Sequence, residues 1–364
     1  MTLNIMDMLS DHFEFFCLIP NEGRLSEELK NRGIKYTLMG NQSLPAGVKG
    51  KSVILQYGIM SLKNICKSIN EIRKFKPDVL YAPGPAALPW SAVCGFLFHK
   101  PVIWHLHHIF LDGPTKKLLN ICGSWKSIKK IIAVSNCVGN QIENARAHEK
   151  VEVLYNPVDV QKYANGNPKY IRREIETTLN RKINWGGKIV VAQIGAITKN
   201  KCQDFFVHVI SEIRKKERNV IGLIIGEAIT DVDKRYKEKI IEYIKENNLS
   251  DNICMLGMRK DIPDFLAVLD CVLIPSQEGL SLVALEAMAA GCRVVASKQY
   301  GAFELLQRAG CGTFYDADGT ANDAAEAIVK AINEQDESIL FKGKEYCEEL
   351  TIPRYKGRLF EIFS

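Results

Sequence analysis

The sequence predicts an α/β protein built from two Rossmann-like, doubly wound domains, and two observations carry this prediction. At 364 residues the chain exceeds the usual size for one hydrophobic core, so two domains are expected. Short apolar runs also alternate with amphipathic segments of helix length along the whole chain. Strict alternation of strand and helix is typical of parallel sheets covered on both faces.

The predicted strands are short apolar runs that are spread evenly over both halves of the chain. Those in the first half are FEFFCLIP, PDVLYAP, PVIWHLHH, KKIIAVS and KVEVLYNP, and those in the second are KIVVAQIG, VIGLIIGE, DNICMLG, CVLIPS and CRVVAS. Segments of helix length lie between them, for example residues 25–32, 62–75 and 236–247.

The boundary between the domains is predicted after YNPVD, where YANGNP supplies Gly, Asn and Pro before the next periodic segment. We therefore expect an N-terminal domain at 1–159, a C-terminal domain at 160–345 and a segment at 346–364 that packs back on the N-terminal domain. A doubly wound domain normally opens with a strand and a glycine turn, whereas this chain opens on TLNIMDMLSDHFEFF. The N-terminal domain is thus expected to lack its first strand, either because the start codon lies further upstream, which we favour, or because a central element is lost.

The composition excludes several protein classes. The 11 cysteines are an odd number and include no CxxC pair and no Cys/His cluster at zinc spacing, which argues for reduced thiols and against a disulfide scaffold or structural metal. The opening residues have no basic leader of the secretory type, and the longest apolar run, 86–98, is too short to span a bilayer. We expect a cytoplasmic protein.

The positive charge is concentrated in the first half of the chain. The whole excess of +6 lies in residues 1–159, because the remainder carries equal numbers of Lys+Arg and Asp+Glu. Within TKKLLNICGSWKSIKK (115–130), lysines alternate with Leu, Ile and Trp, and residues 113–141 include no acid. This pattern is typical of a basic helix lying on an anionic bilayer, and equally of a core-facing helix with a lysine-rich back.

The stretch PSQEGLSLVALEAMAAG (275–291) contains two carboxylates in an otherwise apolar setting. A buried, unpaired carboxylate costs several kcal/mol or takes up a proton, so Glu286 is expected either to be half exposed or to receive a partner from a ligand. Ser281 is a plausible N-cap, and free backbone N–H groups near Leu282 and Val283 would face a phosphate. Glu278 projects from the loop at the mouth of this site, so the pattern suits a nucleotide sugar.

EGLSLVALEAMAAG also matches the E-x7-E signature of the retaining GT-B glycosyltransferases of family 4, which this sequence resembles over nearly its whole length. The segments IIAVSNCV, VEVLYNPVD, NICMLGMRKDIPDFLAVLDCVLIPS and YGAFELLQRAGCG follow in the family's order. The resemblance implies a GT-B fold with the donor in a cleft between two domains. It places the donor sugar at Glu278, the ribose at Glu286 and the base at backbone near Met258 and Arg259. The remaining donor-binding residues that it implies are Gly195, Gly279, Leu280, Ser281 and Leu282.

Two further segments resemble parts of the family's site. IGAITKNKCQDFF resembles its phosphate-binding segment, so Lys201 would neutralise the leaving diphosphate, although Ala196 stands where the family usually has an arginine. In VIWHLHH the family's histidine fits His107 best, near the transferred sugar, whereas His105 is expected to have a packing role. YDADG (315–319) contains a DxD, which we interpret as turn chemistry, so no metal is expected.

The resemblance implies a retaining hexosyltransferase that needs no metal and uses a nucleotide sugar, with UDP the expected nucleotide. If the basic stretch at 115–130 contacts the membrane, the enzyme would lie at the inner face of the cell membrane. The acceptor would then be lipid-linked, as in O-antigen or capsule biosynthesis, and otherwise an oligosaccharide. No nucleic acid is expected as a partner. Two alternatives remain: a truncated, non-catalytic partner that binds the nucleotide sugar, and a GT-B epimerase that acts on it.

Overall fold

The computed structural model describes residues 2–40, 51–110, 113–216, 219–334 and 336–364. These form α-helices, one 3₁₀ helix and β-strands in regular alternation. The strands are β1 (Phe16–Ile19), β2 (Lys35–Leu38), β3 (Leu80–Ala82), β4 (Val102–Leu106), β5 (Ile128–Ala133), β6 (Val151–Val153), β7 (Ile189–Ile194), β8 (Val220–Ile225), β9 (Ile253–Met255), β10 (Cys271–Ile274), β11 (Arg293–Ser297) and β12 (Thr313–Tyr315).

The helices before the 3₁₀ turn are α1 (Thr2–Leu9), α2 (Arg24–Asn31), α3 (Lys51–Phe75), α4 (Leu88–Phe98), α5 (Gly113–Gly123), α6 (Asn136–Gly139), α7 (Ala145–His148), α8 (Val160–Ala164) and α9 (Ile171–Thr178). The 3₁₀ turn is η1 (Lys199–Lys201). After it come α10 (Gln203–Lys216), α11 (Asp231–Glu246), α12 (Ile262–Leu266), α13 (Leu282–Ala290), α14 (Tyr300–Arg308), α15 (Ala321–Asn333), α16 (Ser338–Glu349) and α17 (Ile352–Phe363).

The chain divides into two compact units. Unit 1 comprises residues 1–155 and 353–364, and unit 2 comprises residues 156–352. The boundary therefore lies four residues before the predicted one, and of the segment 346–364 it is residues 353–364 that pack with unit 1. Tyr355 and Leu359 of α17 are buried there against Ile5 and Leu9 of α1, and Arg358 pairs with Glu152 at 2.7 Å.

Unit 2 contains one six-stranded sheet in the order β12-β11-β10-β7-β8-β9, and every neighbouring pair in it is parallel. The core packs α10, α11 and α15 against the apolar faces of these strands, with Phe206, Ile210 and Ile224 fully buried. Because β7 is followed by β8 on one side and has β10 on the other, the strand order reverses between β7 and β10. Ligands of open α/β sheets bind beyond the carboxyl ends of the strands at such a point.

Unit 1 has its parallel strands in two separate sheets. β1 pairs with β2, and β3, β4, β5 and β6 follow one another in a second sheet. Among the described strands, β1 is paired with β2 and not with β3. In a doubly wound order the first strand lies between the second and the fourth. The prediction of an upstream coding segment stays a prediction.

The prediction of two α/β units with parallel sheets is confirmed, and each of the predicted strands is present. The structure adds β2 and β12, which the apolar pattern did not indicate. β2 has two exposed and two half-buried residues, so it lacks the apolar run that identifies a buried strand. Most of the run at 86–98 forms α4, which begins at Leu88. No helix within the described ranges is long and apolar enough to cross a membrane.

Candidate active site

Several of the predicted donor residues of unit 2 lie on the loops that follow β7 and β10, on either side of the point where the strand order reverses. Gly195 to Gln203 follow β7, and Ser276 to Ser281 follow β10. Both loops leave the carboxyl ends of parallel, neighbouring strands, which is where a ligand of this fold binds.

The loop after β7 is held at both ends by glutamine side chains. The Gln193 amide donates to the carbonyl oxygen of Lys201, and the Gln203 amide donates to the carbonyl oxygen of Ala196 at 2.9 Å. Directly after the neighbouring strand β8, Gly226 has φ +154°, and a Cβ there would lie 1.8 Å from the Gly195 carbonyl oxygen. A side chain at 226 would therefore displace this loop.

Lys201 and Glu278 meet across the two loops. The Lys201 ammonium lies 2.6 Å from Glu278 Oε1, and the two side chains are only 29% and 19% exposed. The Ser276 hydroxyl donates to the same carboxylate oxygen. Charges that are mostly removed from water interact more strongly than surface charges. The ion pair therefore restricts the conformations of both side chains at the carboxyl ends of the two strands.

The backbone of the Glu278 loop is fixed by the start of α14. The Gly301 N–H donates to the Glu278 carbonyl oxygen at 2.9 Å, and a Cβ at Gly301 would lie 2.1 Å from the carbonyl oxygen of Gly279. The preceding residue, Tyr300, has φ +58°, a conformation that is strained for a bulky side chain. Strain of this kind clusters at functional sites.

Helix α13 begins directly after this loop. The Ser281 hydroxyl accepts a hydrogen bond from the Ala284 N–H at 3.3 Å, which confirms Ser281 as the N-cap. Since the first N–H groups of an α-helix have no intrahelical partner, those of Leu282 and Val283 point out of the helix start. Leu280 is buried, whereas Leu282 is exposed, so the helix start is open to a ligand.

Glu286 has a protein partner that the sequence did not predict. The hydroxyl of Tyr163, on α8, donates to Glu286 Oε1 at 2.7 Å. Burial raises the pKa of Glu286, while the Tyr163 hydrogen bond and the positive charge of Lys162 act in the opposite direction. Of the two expectations for Glu286, the half-exposed one agrees with the structure, because the side chain is half-buried. One of its oxygens is already bonded to Tyr163, and a ligand contact to the other oxygen stays a prediction.

Met258 and Arg259 follow β9 at the same edge of the sheet. The Met258 side chain is exposed, but Arg259 is fully engaged: it pairs with Glu174 at 2.5 Å and with Asp261 at 2.6 Å, and its guanidinium lies over the Phe265 ring. The guanidinium therefore holds α9 and α12 in place. The contact of a base with backbone at this position stays a prediction.

His107 lies in unit 1, directly after β4, next to His105 and His108. His105 is buried, its Nδ1 lies 2.6 Å from the Tyr81 hydroxyl, and its ring packs on that of His107 at 4.1 Å. Burial lowers the pKa of His107 to about 4. The imidazole of His107 is neutral at neutral pH and can hydrogen-bond a hydroxyl without carrying charge.

Metal-binding groups were not expected from the sequence. Within the described ranges no three His, Cys, Asp or Glu side chains cluster in a way that could hold a metal ion. In the DxD segment, Asp316 pairs with Lys298 at 2.7 Å and its carbonyl oxygen accepts the Gly319 N–H. These contacts form the turn between β12 and α15.

The predicted basic helix at 115–130 is wrong as a single element. α5 ends at Gly123, and Lys129 and Lys130 lie in strand β5, where Lys130 pairs with Glu152 at 2.9 Å. The β-branched run after Lys130 enters the core of the sheet, which a charge pattern alone does not reveal.

Both halves of the chain match glycosyltransferase family models. Residues 175–346 match "Glycosyl transferases group 1", and residues 23–162 match "Glycosyltransferase Family 4". An Escherichia coli UDP-Gal:alpha-D-GlcNAc-diphosphoundecaprenol alpha-1,3-galactosyltransferase is 25% identical over 67% of this chain and 63% of its own length, so the chain spans less than two thirds of that relative. N-acetyl-alpha-D-glucosaminyl L-malate synthase of Bacillus anthracis is 24% identical over 76% of this chain and 71% of the relative.

Solved structures share the fold at lower identity. Anabaena HepE in complex with UDP-glucose superposes with a TM-score of 0.77 at 20% identity, covering 99% of this chain and 94% of that one.

Proposed function

The chain belongs to the GT-B glycosyltransferases, and from this premise we propose that it moves a hexosyl or N-acetylhexosaminyl residue from a nucleotide sugar to a saccharide acceptor with retention of configuration. The Lys201–Glu278 ion pair beside the start of α13 carries the proposal. It sets a cation, a carboxylate and free helix N–H groups at one edge of the sheet, which suits a sugar diphosphate.

In the proposed reaction the acceptor hydroxyl attacks the anomeric carbon as its bond to the diphosphate oxygen breaks. The departing diphosphate oxygen takes the acceptor proton. Lys201 and the N–H groups of Leu282 and Val283 would stabilise the negative charge that develops on the diphosphate. Glu278 would face the positive charge that develops on the sugar, and neutral His107 would hydrogen-bond a sugar hydroxyl. This scheme requires no metal.

The donor is proposed to be UDP-linked. The complex of HepE with UDP-glucose and the UDP-Gal donor in the name of the Escherichia coli relative support this choice. Glu286 would bind the ribose hydroxyls through the oxygen that Tyr163 does not occupy, with the base on backbone near Met258 and Arg259, and with Gly195, Gly279, Leu280 and Ser281 around the phosphates and sugar.

The acceptor is proposed to be a lipid-linked saccharide of cell-surface polysaccharide biosynthesis, and the enzyme to act at the cytoplasmic face of the membrane. The diphosphoundecaprenol acceptor in the name of the Escherichia coli relative supports this class. A lipopolysaccharide core mannosyltransferase among the relatives, 31% identical over 34% of this chain, supports the same pathway type.

One observation favours a second candidate, a non-catalytic partner that binds the nucleotide sugar without turnover. Ala196 occupies the position of the usual arginine, so the loop has one cation fewer for the diphosphate, and part of the charge of Lys201 is already met by Glu278.

A donor screen separates these candidates. The purified chain is incubated with UDP- and GDP-sugars, with and without membranes carrying lipid-linked acceptors, and products are followed by mass spectrometry. Transfer that depends on the acceptor would support the proposal. NMR of the product should show that the anomeric configuration is retained. Donor binding without transfer or hydrolysis would indicate the non-catalytic partner, and interconversion of sugars without acceptor would indicate an epimerase.

A further inference from the structure

Unit 1 carries an unusual concentration of exposed large apolar side chains on three helices that pack side by side. α3 packs against α4, and α4 packs against α5. Their exposed apolar residues are Ile54, Leu55, Ile59, Leu62, Phe96, Leu97, Leu118 and Ile121. We call the outer surface formed by these residues the α3–α5 face.

The α3–α5 face includes a regular stripe on α3. Leu55, Ile59 and Leu62 recur at the spacing of one helix face, and they are 68%, 50% and 66% exposed. The opposite side of the same helix is packed, with Asn64, Ser68 and Ile72 buried. The solvent-facing side of α3 therefore carries apolar side chains, where a surface helix normally carries charged ones. Apolar patches of this kind mark sites of protein or membrane contact.

The charged residues of α3, α4 and α5 are basic with one exception. Glu71 is the acidic residue of these three helices, and it pairs with Lys74 at 3.3 Å at the far end of α3 from Leu55. Lys63 on α3, Lys117 on α5 and Lys126 beyond it are exposed. Trp125, half-buried, packs its ring edge-on to Phe96 at 6.0 Å, and Trp is enriched where apolar surface meets lipid headgroups.

We propose that the α3–α5 face docks on an anionic lipid bilayer, with Leu55, Ile59, Leu62 and Phe96 entering the headgroup boundary and the lysines contacting lipid phosphates. A second copy of this chain fits less well. A two-fold interface would bring the same patch, and therefore the same lysines, against each other, whereas anionic headgroups neutralise them. A nucleic acid would leave the aliphatic side chains without partners. The inference deepens the proposed membrane location and does not require the proposed chemistry.

Vesicle binding without donor or acceptor tests the inference. The full chain is floated with vesicles of equal parts phosphatidylcholine and phosphatidylglycerol, and with vesicles of phosphatidylcholine alone. We expect preferential binding to the anionic vesicles, decreasing with salt. The variant Leu55→Gln/Leu62→Gln should bind about tenfold more weakly, since two exposed leucines lose their transfer into the boundary. Lys63→Gln/Lys117→Gln should weaken binding to the anionic vesicles alone.

The matched control is Val232→Gln/Phe341→Gln, which removes two apolar side chains of similar exposure, 67% and 66%, from unit 2. It should bind as the wild type does. Ile59→Gln serves as a milder variant should the double change lower the melting temperature.

Equal binding by the wild type and the Leu55→Gln/Leu62→Gln variant would overturn the inference, as would no wild-type binding or a loss in the control variant. A wild-type dimer that the leucine changes convert to a monomer would assign the face to a second copy. If the chain transferred sugar to a soluble acceptor but did not bind vesicles, this inference would be wrong and the proposed function would still be supported.

Discussion

Two neighbouring stretches of unit 2 each hold one glutamate of the same sequence signature, yet their environments differ in kind. In the loop after β10, Glu278 is paired with a full positive charge, Lys201, and with a hydroxyl, Ser276. One helical turn into α13, Glu286 has a neutral phenol, Tyr163, as its partner. Burial removes water from a charged carboxylate, which is unfavourable. A neighbouring cation offsets this loss, whereas a neutral phenol offsets it only in part. These surroundings support the roles proposed for the two residues, an electrostatic one for Glu278 and a hydrogen-bonding one for Glu286.

The largest effect should come from breaking the charged pair at its cation. Lys201→Met keeps the length of the side chain but removes the charge that would stabilise the departing diphosphate, and it leaves Glu278 without its counter-ion. We expect kcat to fall about 100- to 1000-fold, the range found when a single oxyanion donor is removed. Lys201→Arg is the control and should retain part of the rate. A Lys201→Met enzyme with wild-type kcat would contradict the assignment.

Neutralising the carboxylate of the same pair should have the next largest effect. Glu278→Gln preserves shape and the bond to Ser276, but the charge facing the developing positive sugar is lost, so the loss should fall on kcat by about 10- to 100-fold, equivalent to one charge-assisted hydrogen bond. Initial-rate kinetics with the identified donor measure this. A rise in donor KM at unchanged kcat would move Glu278 to ground-state binding.

Glu286→Gln should fail in a different way. The ribose is bound alike before and during the reaction, so donor KM should rise by about tenfold, the value of one weakened hydrogen bond to a charged group, with kcat less affected. Isothermal titration of UDP provides the same comparison without turnover. Unchanged KM and unchanged UDP affinity would show that Glu286 serves Tyr163 and not the ligand.

The stability of the Glu286→Gln variant should depend on pH. Burial raises the pKa of Glu286 in the folded chain above its ordinary value of 4.5, so the folded state binds this proton more tightly than the unfolded state. The stabilisation from protonation is complete below the unfolded pKa and is lost as pH rises through the folded pKa. Glutamine never ionises, so the variant should gain free energy of unfolding over the wild type at neutral pH.

This gain should vanish below about pH 4. Urea titrations over a pH series measure it. If the difference in free energy of unfolding between variant and wild type stayed constant with pH, the pKa of Glu286 would be the same in the folded and unfolded chains.

The smallest effect is expected from Tyr163→Phe, which removes one neutral donor from Glu286. We expect a loss of about 0.5–1.5 kcal/mol in stability or in donor affinity. Because the contact needs both partners, the effect of Tyr163→Phe should be smaller in the Glu286→Gln background than in the wild type. Thermal unfolding and donor KM of the four proteins provide the cycle. Strict additivity would show that the 2.7 Å contact contributes nothing.

The sequence indicated Lys201 and Glu278 as candidate site residues, but it did not predict the ion pair between them. Lys201 and Glu278 follow strands that are adjacent in the sheet and distant in the chain, so each carries a local signal while their contact depends on strand order. Tyr163 lies 123 positions before Glu286, in a stretch whose Gly, Asn and Pro indicated only a linker. The helix predicted at 115–130 was wrong for Lys129 and Lys130. The spacing of the lysines suggested a helix, whereas these two residues and the apolar run after them lie in strand β5.

The outward stripe of α3 was missed for a related reason. Leu55, Ile59 and Leu62 have the spacing of a core-facing helix, and sequence periodicity cannot say which side of a helix faces solvent. Burial settles it, because the side occupied by Asn64 and Ser68 is the one packed against the unit.

The break in the sheet of unit 1 bears on how that unit fluctuates. β4 and β5 each have paired neighbours on both edges, whereas β1 is hydrogen-bonded to β2 alone among the described strands. β1, β2 and α2 form a small cluster, in which Cys17, Ile19 and Leu29 are the buried members and on which Leu3 and Met6 of α1 pack. Segments with few buried contacts open at lower free energy than the rest of a domain. The amides of Cys17 to Ile19 should therefore exchange with solvent deuterium well before those of Ile131 and Ile132, and unit 1 should open in at least two cooperative steps.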